Sequence, residues 1–203
     1  MENIGVEKRL VLGGAAASEE VFPGYRVSTG ALDAGLFLPQ IVKELGLEKF
    51  GLEFIQNPAI VTAFDTTGQS LTLWRNPEQS QAEIARFSKV DAEQYPKYLR
   101  WVSRMTAILQ EMLTLNPPRI PDVSLGDLSP WLLPAFKARR LGRHEMMAFL
   151  RILPMPVSDF LDEWFETPLL KVALGAQAVI GSRAGPRASG TAFMLLSPAF
   201  KAW

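Results

Sequence analysis

Residues 6–29 of the chain read VEKRLVLGGAAASEEVFPGYRVST, and the interpretation of the fold depends on this stretch. An acidic residue, Glu7, lies a few positions before the adjacent glycines Gly13 and Gly14. A nucleotide site needs a carboxylate that accepts hydrogen bonds from ribose hydroxyls and bare backbone that can approach a pyrophosphate. The stretch is therefore a candidate cofactor loop. From these residues alone, a solvated strand end followed by an ordinary turn explains the pattern as well.

A longer pattern adds to this interpretation. The residues EKR and GGAA, followed by SEEVFPGYRVSTGA, resemble the segment after the first βαβ unit of phytoene dehydrogenase-like flavoproteins. That family includes carotenoid desaturases and pyridine nucleotide-disulfide oxidoreductase domain proteins, and the resemblance is stronger to the latter. It continues through less specific motifs as far as AGPRASGTAF at 184–193.

The resemblance implies an FAD-dependent oxidoreductase with an apolar substrate, for which an isoprenoid is one candidate. By resemblance, Glu7 accepts hydrogen bonds from the adenosine ribose, Gly13 and Gly14 let the backbone approach the diphosphate, and Arg9 lies beside it. The implied fold is α+β. A partial FAD/NAD(P)-binding, Rossmann-like edge covers residues 1–36, and a mostly helical substrate domain with a short β-meander covers 37–203.

The chain departs from the family in one respect. In these flavoproteins a Gly-x-Gly-x-x-Gly unit precedes the acidic residue, whereas here only six residues precede Glu7 and the motif is absent from the sequence. We therefore expect an internal piece of a larger fold. We also expect weak or absent FAD binding by this polypeptide alone, because the helix N-terminus that holds the pyrophosphate is missing.

Composition bounds the function. The 203 residues are 48% hydrophobic, enough to bury a core. Lys+Arg and Asp+Glu both total 21, so no overall positive field would attract nucleic acid. With no cysteine and one histidine, neither a disulfide framework nor a transition-metal site is expected. No secretory signal or membrane-spanning run occurs, and we expect the cytoplasm or an organelle matrix.

Local signals predict the elements of the first half of the chain. A turn is predicted at Pro23 and Gly24, because proline fixes φ and glycine permits positive φ. Proline near the start and glycine after the end predict a helix from Leu38 to Leu45. Segments rich in β-branched and aromatic residues predict further strands. The predicted strands are Arg26 to Thr29, Glu53 to Thr62 and Ser70 to Trp74.

The second half reads as helices. Asn76 and Pro77 predict a helix to about Val90, and Asp91 predicts the cap of the next, long helix with Pro96 in its first turn. An apolar stripe on the long helix consists of Tyr95, Tyr98, Val102, Met105, Leu109 and Met112. The stripe is compatible with a tunnel for a long apolar substrate, but core packing is its ordinary explanation. Later helices are predicted at 128–141, 143–153 and 159–166, and from Pro168 to Gly181.

Other candidate sites in this half have ordinary explanations. His144 lacks the partners of a zinc pair or a nucleophilic triad. The carboxylates Asp159, Asp162, Glu163 and Glu166 fall on a helical repeat and suit either a paired-carboxylate site or a solvated helix face. A basic cluster could rest on anionic lipid headgroups or form a surface helix. Its members are Lys137, Arg139, Arg140 and Arg143, near Trp131 and Phe136.

Arg183 and Arg187 lie on a polar loop predicted to be flexible, and by resemblance they face a cofactor or substrate. Peripheral membrane contact and oligomeric state stay open. Two alternatives to the oxidoreductase are kept: a flavin amine oxidase-type enzyme, and a non-catalytic interaction or regulatory protein built on a flavoprotein remnant. No catalytic residue is assigned, since hydride transfer to a flavin needs binding and orientation rather than a nucleophile.

Overall fold

The computed structural model describes residues 11–31, 34, 37–113, 115–118, 124–140 and 142–196. It is a mixture of helices and two small antiparallel sheets, and this confirms the α+β class. The strands are β1 (Ser18–Phe22), β2 (Tyr25–Ser28), β3 (Ala59–Phe64) and β4 (Ser70–Trp74). The helices are α1 (Pro39–Leu45), α2 (Pro77–Ala85), α3 (Lys89–Leu113), α4 (Leu125–Leu128), α5 (Leu132–Arg140), α6 (Gly142–Ile152), α7 (Val157–Asp162), α8 (Pro168–Val179) and α9 (Thr191–Met194).

The turns and helix ends predicted from local signals are confirmed. Pro23 and Gly24 join β1 to β2, and Gly24 has a φ of 83°. α1 begins at Pro39 and is followed by Gly46 in the left-handed conformation. Asn76 caps α2 by accepting a hydrogen bond from the Gln79 N–H at 3.0 Å. Each signal involves residues within one turn of each other, so neighbouring elements cannot easily override it.

The β3–β4 hairpin covers one side of the helical core. Leu71 and Leu73 on β4 are buried, and they pair with Ala63 and Val61 on β3. On the opposite face the hydroxyls of Thr62 and Thr72 lie 3.0 Å apart. The prediction that β3 starts at Glu53 is wrong. Pro58, which lacks an N–H, precedes the strand, and pairing begins at Ala59.

The core is built around the apolar stripe of α3. Tyr95, Tyr98, Val102 and Met105 are buried in one cluster with residues of α7 and α8, and the Tyr98 ring lies 6.2 Å from the Phe160 ring. Core packing of the stripe is therefore confirmed. α8 also packs on both strands of the β3–β4 hairpin, whereas α5 packs against α3 and α6. Within the described ranges, the structure contains no helix that is both long and apolar enough to cross a membrane.

Two predictions about α2 and α3 are wrong. α2 ends at Ala85 rather than near Val90, and α3 begins at Lys89, so Pro96 lies inside the helix and not in its first turn. Ser88 is the cap of α3, because its hydroxyl accepts a hydrogen bond from the Asp91 N–H at 3.1 Å. Ser88 and Asp91 have the spacing of a capping box, so Asp91 is the third helical residue rather than the cap.

Later helices also differ in their limits. The helix predicted at 128–141 is divided by a 3₁₀ turn at Ser129–Trp131, where Pro130 interrupts the regular helix. α7 stops at Asp162 rather than at Glu166. The short α9 was not predicted.

Candidate functional site

The adjacent glycines form a turn that only glycine adopts without strain. Gly13 has a φ of 120° and Gly14 a φ of 54°, and a 3₁₀ turn follows at Gly14–Ala16. Residues with a Cβ are disfavoured in this left-handed region. The turn is closed by hydrogen bonds from the Ala16 N–H to the Gly13 carbonyl (3.0 Å) and from the Ala17 N–H to the Gly14 carbonyl (3.2 Å). The glycine pair is thus required by the backbone geometry.

The turn is held against the end of β2 by close backbone contact. The Thr29 N–H donates to the Ala17 carbonyl at 3.3 Å. A Cβ at Gly30 would lie 2.8 Å from the carbonyl oxygen of Ala15, so a side chain at this position would push the turn away. Ala17 is buried beneath the turn, whereas residues 13–16 are exposed. The arrangement presents bare backbone on the outer side.

A Cβ placed at Gly14 would have no heavy atom within 4 Å, leaving aside its two chain neighbours. A side chain is therefore absent from this side of the turn, a feature that diphosphate-binding glycine turns share. Glu7 and Arg9 lie outside the described residues, so their predicted roles stay predictions. The turn that follows Gly13 and Gly14 lies against Gly30 through Ala15, and this role of Gly30 was not predicted from the sequence. Ser28 and Thr29, which precede it, do not indicate that a glycine is needed at this position.

A cavity of about 440 Å³ lies among α3, α6 and α7. Its aromatic wall consists of Trp101, Phe160 and Trp164, with the Trp101 and Phe160 rings 5.6 Å apart and the Phe160 and Trp164 rings 6.4 Å apart. Behind this wall the Tyr98 ring meets Trp164 edge-on at 5.6 Å. Such a wall can bind an apolar or aromatic group. The sequence did not predict the cavity, because its walls come from separate helices that only the tertiary fold brings together.

Charged residues at the edge of this cavity are engaged with one another. The Arg151 guanidinium forms a two-point contact with the Glu163 carboxylate, in which Nη1 lies 3.0 Å from Oε1. The Glu145 carboxylate accepts from Arg104 at 3.4 Å. His144 also lines the cavity and is exposed. These residues form a polar rim around the aromatic wall. Their contacts are not those of an acid–base pair.

The carboxylates predicted as a possible pair point to different partners. Asp162 binds Lys171 at 2.6 Å, Glu166 accepts from the Ser88 hydroxyl at 2.7 Å, and Asp159 accepts from Ser158 at 3.0 Å. Glu163 is bound to Arg151. Each carboxylate therefore already has its own partner. The paired-carboxylate interpretation therefore has no geometric support.

A second cavity, of about 450 Å³, lies between α7 and α8 and is lined mainly by apolar residues. Arg187 lines it, whereas Arg183 does not. The loop that carries both arginines is fastened to residues 154–158. The Ser158 N–H donates to the Pro186 carbonyl (3.0 Å), and the Ser189 hydroxyl donates to the Pro154 carbonyl (2.7 Å). The loop predicted to be flexible is thus anchored by one backbone and one side-chain hydrogen bond.

Asp91 was predicted only as a helix cap, but its main contacts are distant in sequence. It is 1% exposed, and its two carboxylate oxygens accept hydrogen bonds from the N–H groups of Glu166 (3.0 Å) and Thr167 (2.8 Å). These groups immediately precede α8. A negative charge beside unpaired N–H groups at a helix start is favourable. Asp91 therefore ties the beginning of α3 to the beginning of α8.

Comparison with curated proteins identifies relatives that match most of the chain. It is 32% identical to pyridine nucleotide-disulfide oxidoreductase domain-containing protein 2 of Rattus norvegicus, over 94% of this chain and 35% of the relative. The protein of the same name from Mus musculus gives the same identity and coverage. No protein-family model matches the chain, and no solved structure is detectably similar to it.

The chain spans about a third of the length of the curated relatives it matches. The matched region includes almost all of the sequence, so the likeness is not confined to the glycine turn. The name of these relatives refers to an oxidoreductase domain.

Proposed function

We propose that the chain is part of an FAD-dependent oxidoreductase of the phytoene dehydrogenase-like type, acting on an apolar substrate with an isoprenoid as one candidate. The observation that carries the proposal is the exposed turn at Gly13 and Gly14, which offers bare backbone in a chain similar to oxidoreductase domain proteins. In this proposal residues 1–36 contribute to the FAD site and residues 37–203 form the substrate domain.

The glycine turn fits the diphosphate of FAD. Both glycines have positive φ, and the space beside Gly14 accepts a group that a side chain would exclude. In this proposal Glu7 accepts hydrogen bonds from the ribose hydroxyls and Arg9 lies beside the diphosphate, as the resemblance implies. FAD, when bound, supplies the acceptor for a hydride. In this proposal the residues of this chain bind and orient FAD and the substrate and shield them from water. None is assigned to a proton transfer.

Two cavities in the helical part support the proposal of an apolar substrate. The cavity between α7 and α8 is lined mostly by apolar side chains such as Val157, Leu161 and Val172. Its volume of about 450 Å³ falls within the ordinary range for small-molecule sites of roughly 300–1,000 Å³. The aromatic wall formed by Trp101, Phe160 and Trp164 offers a second apolar surface. Apolar walls of this kind can shield a bound hydrocarbon from water, and exclusion of water favours hydride transfer.

A matched pair of glycine substitutions tests the FAD site. Gly14→Ala adds a methyl group where the diphosphate would approach, and Gly24→Ala adds the same group at the tip of the β1–β2 turn. Both positions have left-handed φ values, 54° and 83°, and both have open space at the Cβ position. The backbone strain of the two substitutions is therefore similar, about 1–2 kcal/mol.

The measurement is an FAD titration of the longest polypeptide that the gene encodes around this segment, with the present chain alongside. We expect Gly14→Ala to weaken FAD binding about tenfold or more, equivalent to about 1.4 kcal/mol, and Gly24→Ala to leave it unchanged. Absence of flavin binding by the longest polypeptide would refute the proposal. So would an equal loss in both variants, since that would be a general effect on the hairpin.

A further inference from the structure

One surface of the helical part combines exposed apolar side chains with arginines. We call it the α5–α6 surface and define it by Leu132, Leu133, Phe136, Arg139, Arg140 and Arg143. Leu132 and Phe136, four residues apart on α5, are 68% and 52% exposed. Residues at this spacing lie on the same helix face, so the two side chains form one apolar ridge.

The same surface is positively charged. Between residues 132 and 152 the sequence contains five basic residues and one carboxylate, in a chain whose net charge is zero. Lys137 is bound to Glu111, and the Arg140 guanidinium lies 4.5 Å from the centre of the Phe136 ring. Within the part of the chain that the structure describes, Arg139, Arg140 and Arg143 form no ion pair. Their charge is available to a partner.

We propose that the α5–α6 surface binds the headgroup region of a membrane containing anionic lipid. Leucine and phenylalanine side chains that enter the acyl boundary gain free energy by leaving water, while neighbouring arginines contact anionic headgroups. Arginine stems can lie along apolar side chains while the charged end reaches the headgroups. The Arg140 guanidinium stacks on the Phe136 ring, so positive charge and the apolar ridge lie side by side. This binding does not depend on FAD, and it goes beyond the proposed oxidoreductase activity.

Two other partners fit this surface less well. A second copy of the chain, related by a two-fold axis, would bring two copies of the same positively charged surface together, and like charges would then repel. Nucleic acid would satisfy the arginines but would give no gain for burying Leu132 and Phe136. An anionic bilayer surface satisfies both the apolar ridge and the charge.

The test is flotation of the longest available polypeptide with phosphatidylcholine vesicles, with and without phosphatidylglycerol, at low and high salt. We expect binding only to the anionic vesicles and weaker binding at high salt. Each basic residue near such a surface contributes about fivefold. Replacing Arg139, Arg140 and Arg143 by glutamine should therefore lower the partition coefficient on the order of a hundredfold. Leu132→Ser combined with Phe136→Ser should also lower it.

The control is Phe22→Ser combined with Tyr25→Ser on the β1–β2 hairpin. These aromatic residues are 68% and 71% exposed but have the carboxylates Glu19 and Glu20 nearby in sequence. This variant should bind vesicles like the parent. Circular dichroism and the urea midpoint establish that each variant is folded.

Three outcomes would overturn the proposal. The first is equal binding to neutral vesicles or equal loss in the hairpin control, which would indicate general adhesion of apolar residues. The second is binding by the present chain but not by the longer polypeptide, because the surface would then be covered by the polypeptide itself. The third is a dimer in sedimentation that dissociates when Leu132 and Phe136 are replaced.

Discussion

Substitution of Asp91 should weaken the fold more than any exposed charge does. Asp91 is 1% exposed and accepts hydrogen bonds from the N–H groups of Glu166 and Thr167 at 3.0 and 2.8 Å. Asp91→Ala removes both acceptor oxygens. The two N–H groups that precede α8 are then left without a hydrogen-bond partner. A hydrogen bond to a charged group contributes about 1.5–3 kcal/mol. Since the two bonds share one carboxylate, we expect a total loss of about 3 kcal/mol in the free energy of unfolding.

The assay is equilibrium unfolding in urea, followed by far-ultraviolet circular dichroism and by tryptophan fluorescence. Trp101 and Trp164 lie in the core cluster or against it, so fluorescence reports on the packing of α3 against α7. The control is Glu93→Ala, which removes an exposed carboxylate from the same end of α3. It should change the free energy of unfolding by less than about 0.5 kcal/mol.

Asp91→Asn makes the test sharper. An amide of the same shape offers one oxygen acceptor, while its NH₂ group would face the second backbone donor. We expect a loss smaller than that of Asp91→Ala but larger than that of Glu93→Ala. If Asp91→Ala costs no more than Glu93→Ala, the carboxylate does not hold the start of α8, and the reasoning about this long-range contact is refuted.

Two further predictions concern the core. Met105 is fully buried on α3, so Met105→Ala should cost about 3 kcal/mol of unfolding free energy in urea, while the exposed Met147→Ala should be nearly neutral; equal effects would contradict the assignment of the stripe to the core. Burial raises the pKa of Tyr98 and of Tyr95 above the usual value, which is about 10. The native state therefore keeps protons that the unfolded chain releases. The contribution of these tyrosines to the free energy of unfolding is complete below pH about 10 and is lost as the pH rises further. In a Tyr25→Phe variant, absorbance at 295 nm should rise together with the loss of helical ellipticity, and ionisation that clearly precedes unfolding would contradict the burial.

The sequence predicted those features of the fold that depend on neighbouring residues. The ends of α1 and the start of α2 follow from Pro39, Gly46 and Asn76, whose effects act within one helical turn. The turn at Gly13 and Gly14 was predicted for the same reason. In contrast, Asp91 was mistaken for a cap because its real partners are the backbone groups of residues 166 and 167, which sequence spacing cannot place beside it.

The same distinction applies to the candidate sites. Four carboxylates on one predicted helix suggested a site, but each is bound to a different partner, and three of these partners, Ser88, Arg151 and Lys171, lie on other elements or at their ends. The cavity beside Trp101, Phe160 and Trp164 exists because α3 packs against α7, which depends on tertiary structure. Residue pattern located the apolar stripe and the basic cluster. It could not show which members of either are buried, paired or exposed.

The glycine turn and the helical core differ in what supports them, and this makes the two sets of experiments independent. Every residue from 18 to 28 is at least partly exposed, whereas the core is made of residues from β3, β4 and the later helices. A two-stranded hairpin of this kind gains little stability of its own. Gly14→Ala and Gly24→Ala should therefore leave the urea midpoint of the helical part unchanged. A change in FAD binding by Gly14→Ala can then be attributed to the turn, and a change in stability by Asp91→Ala to the core.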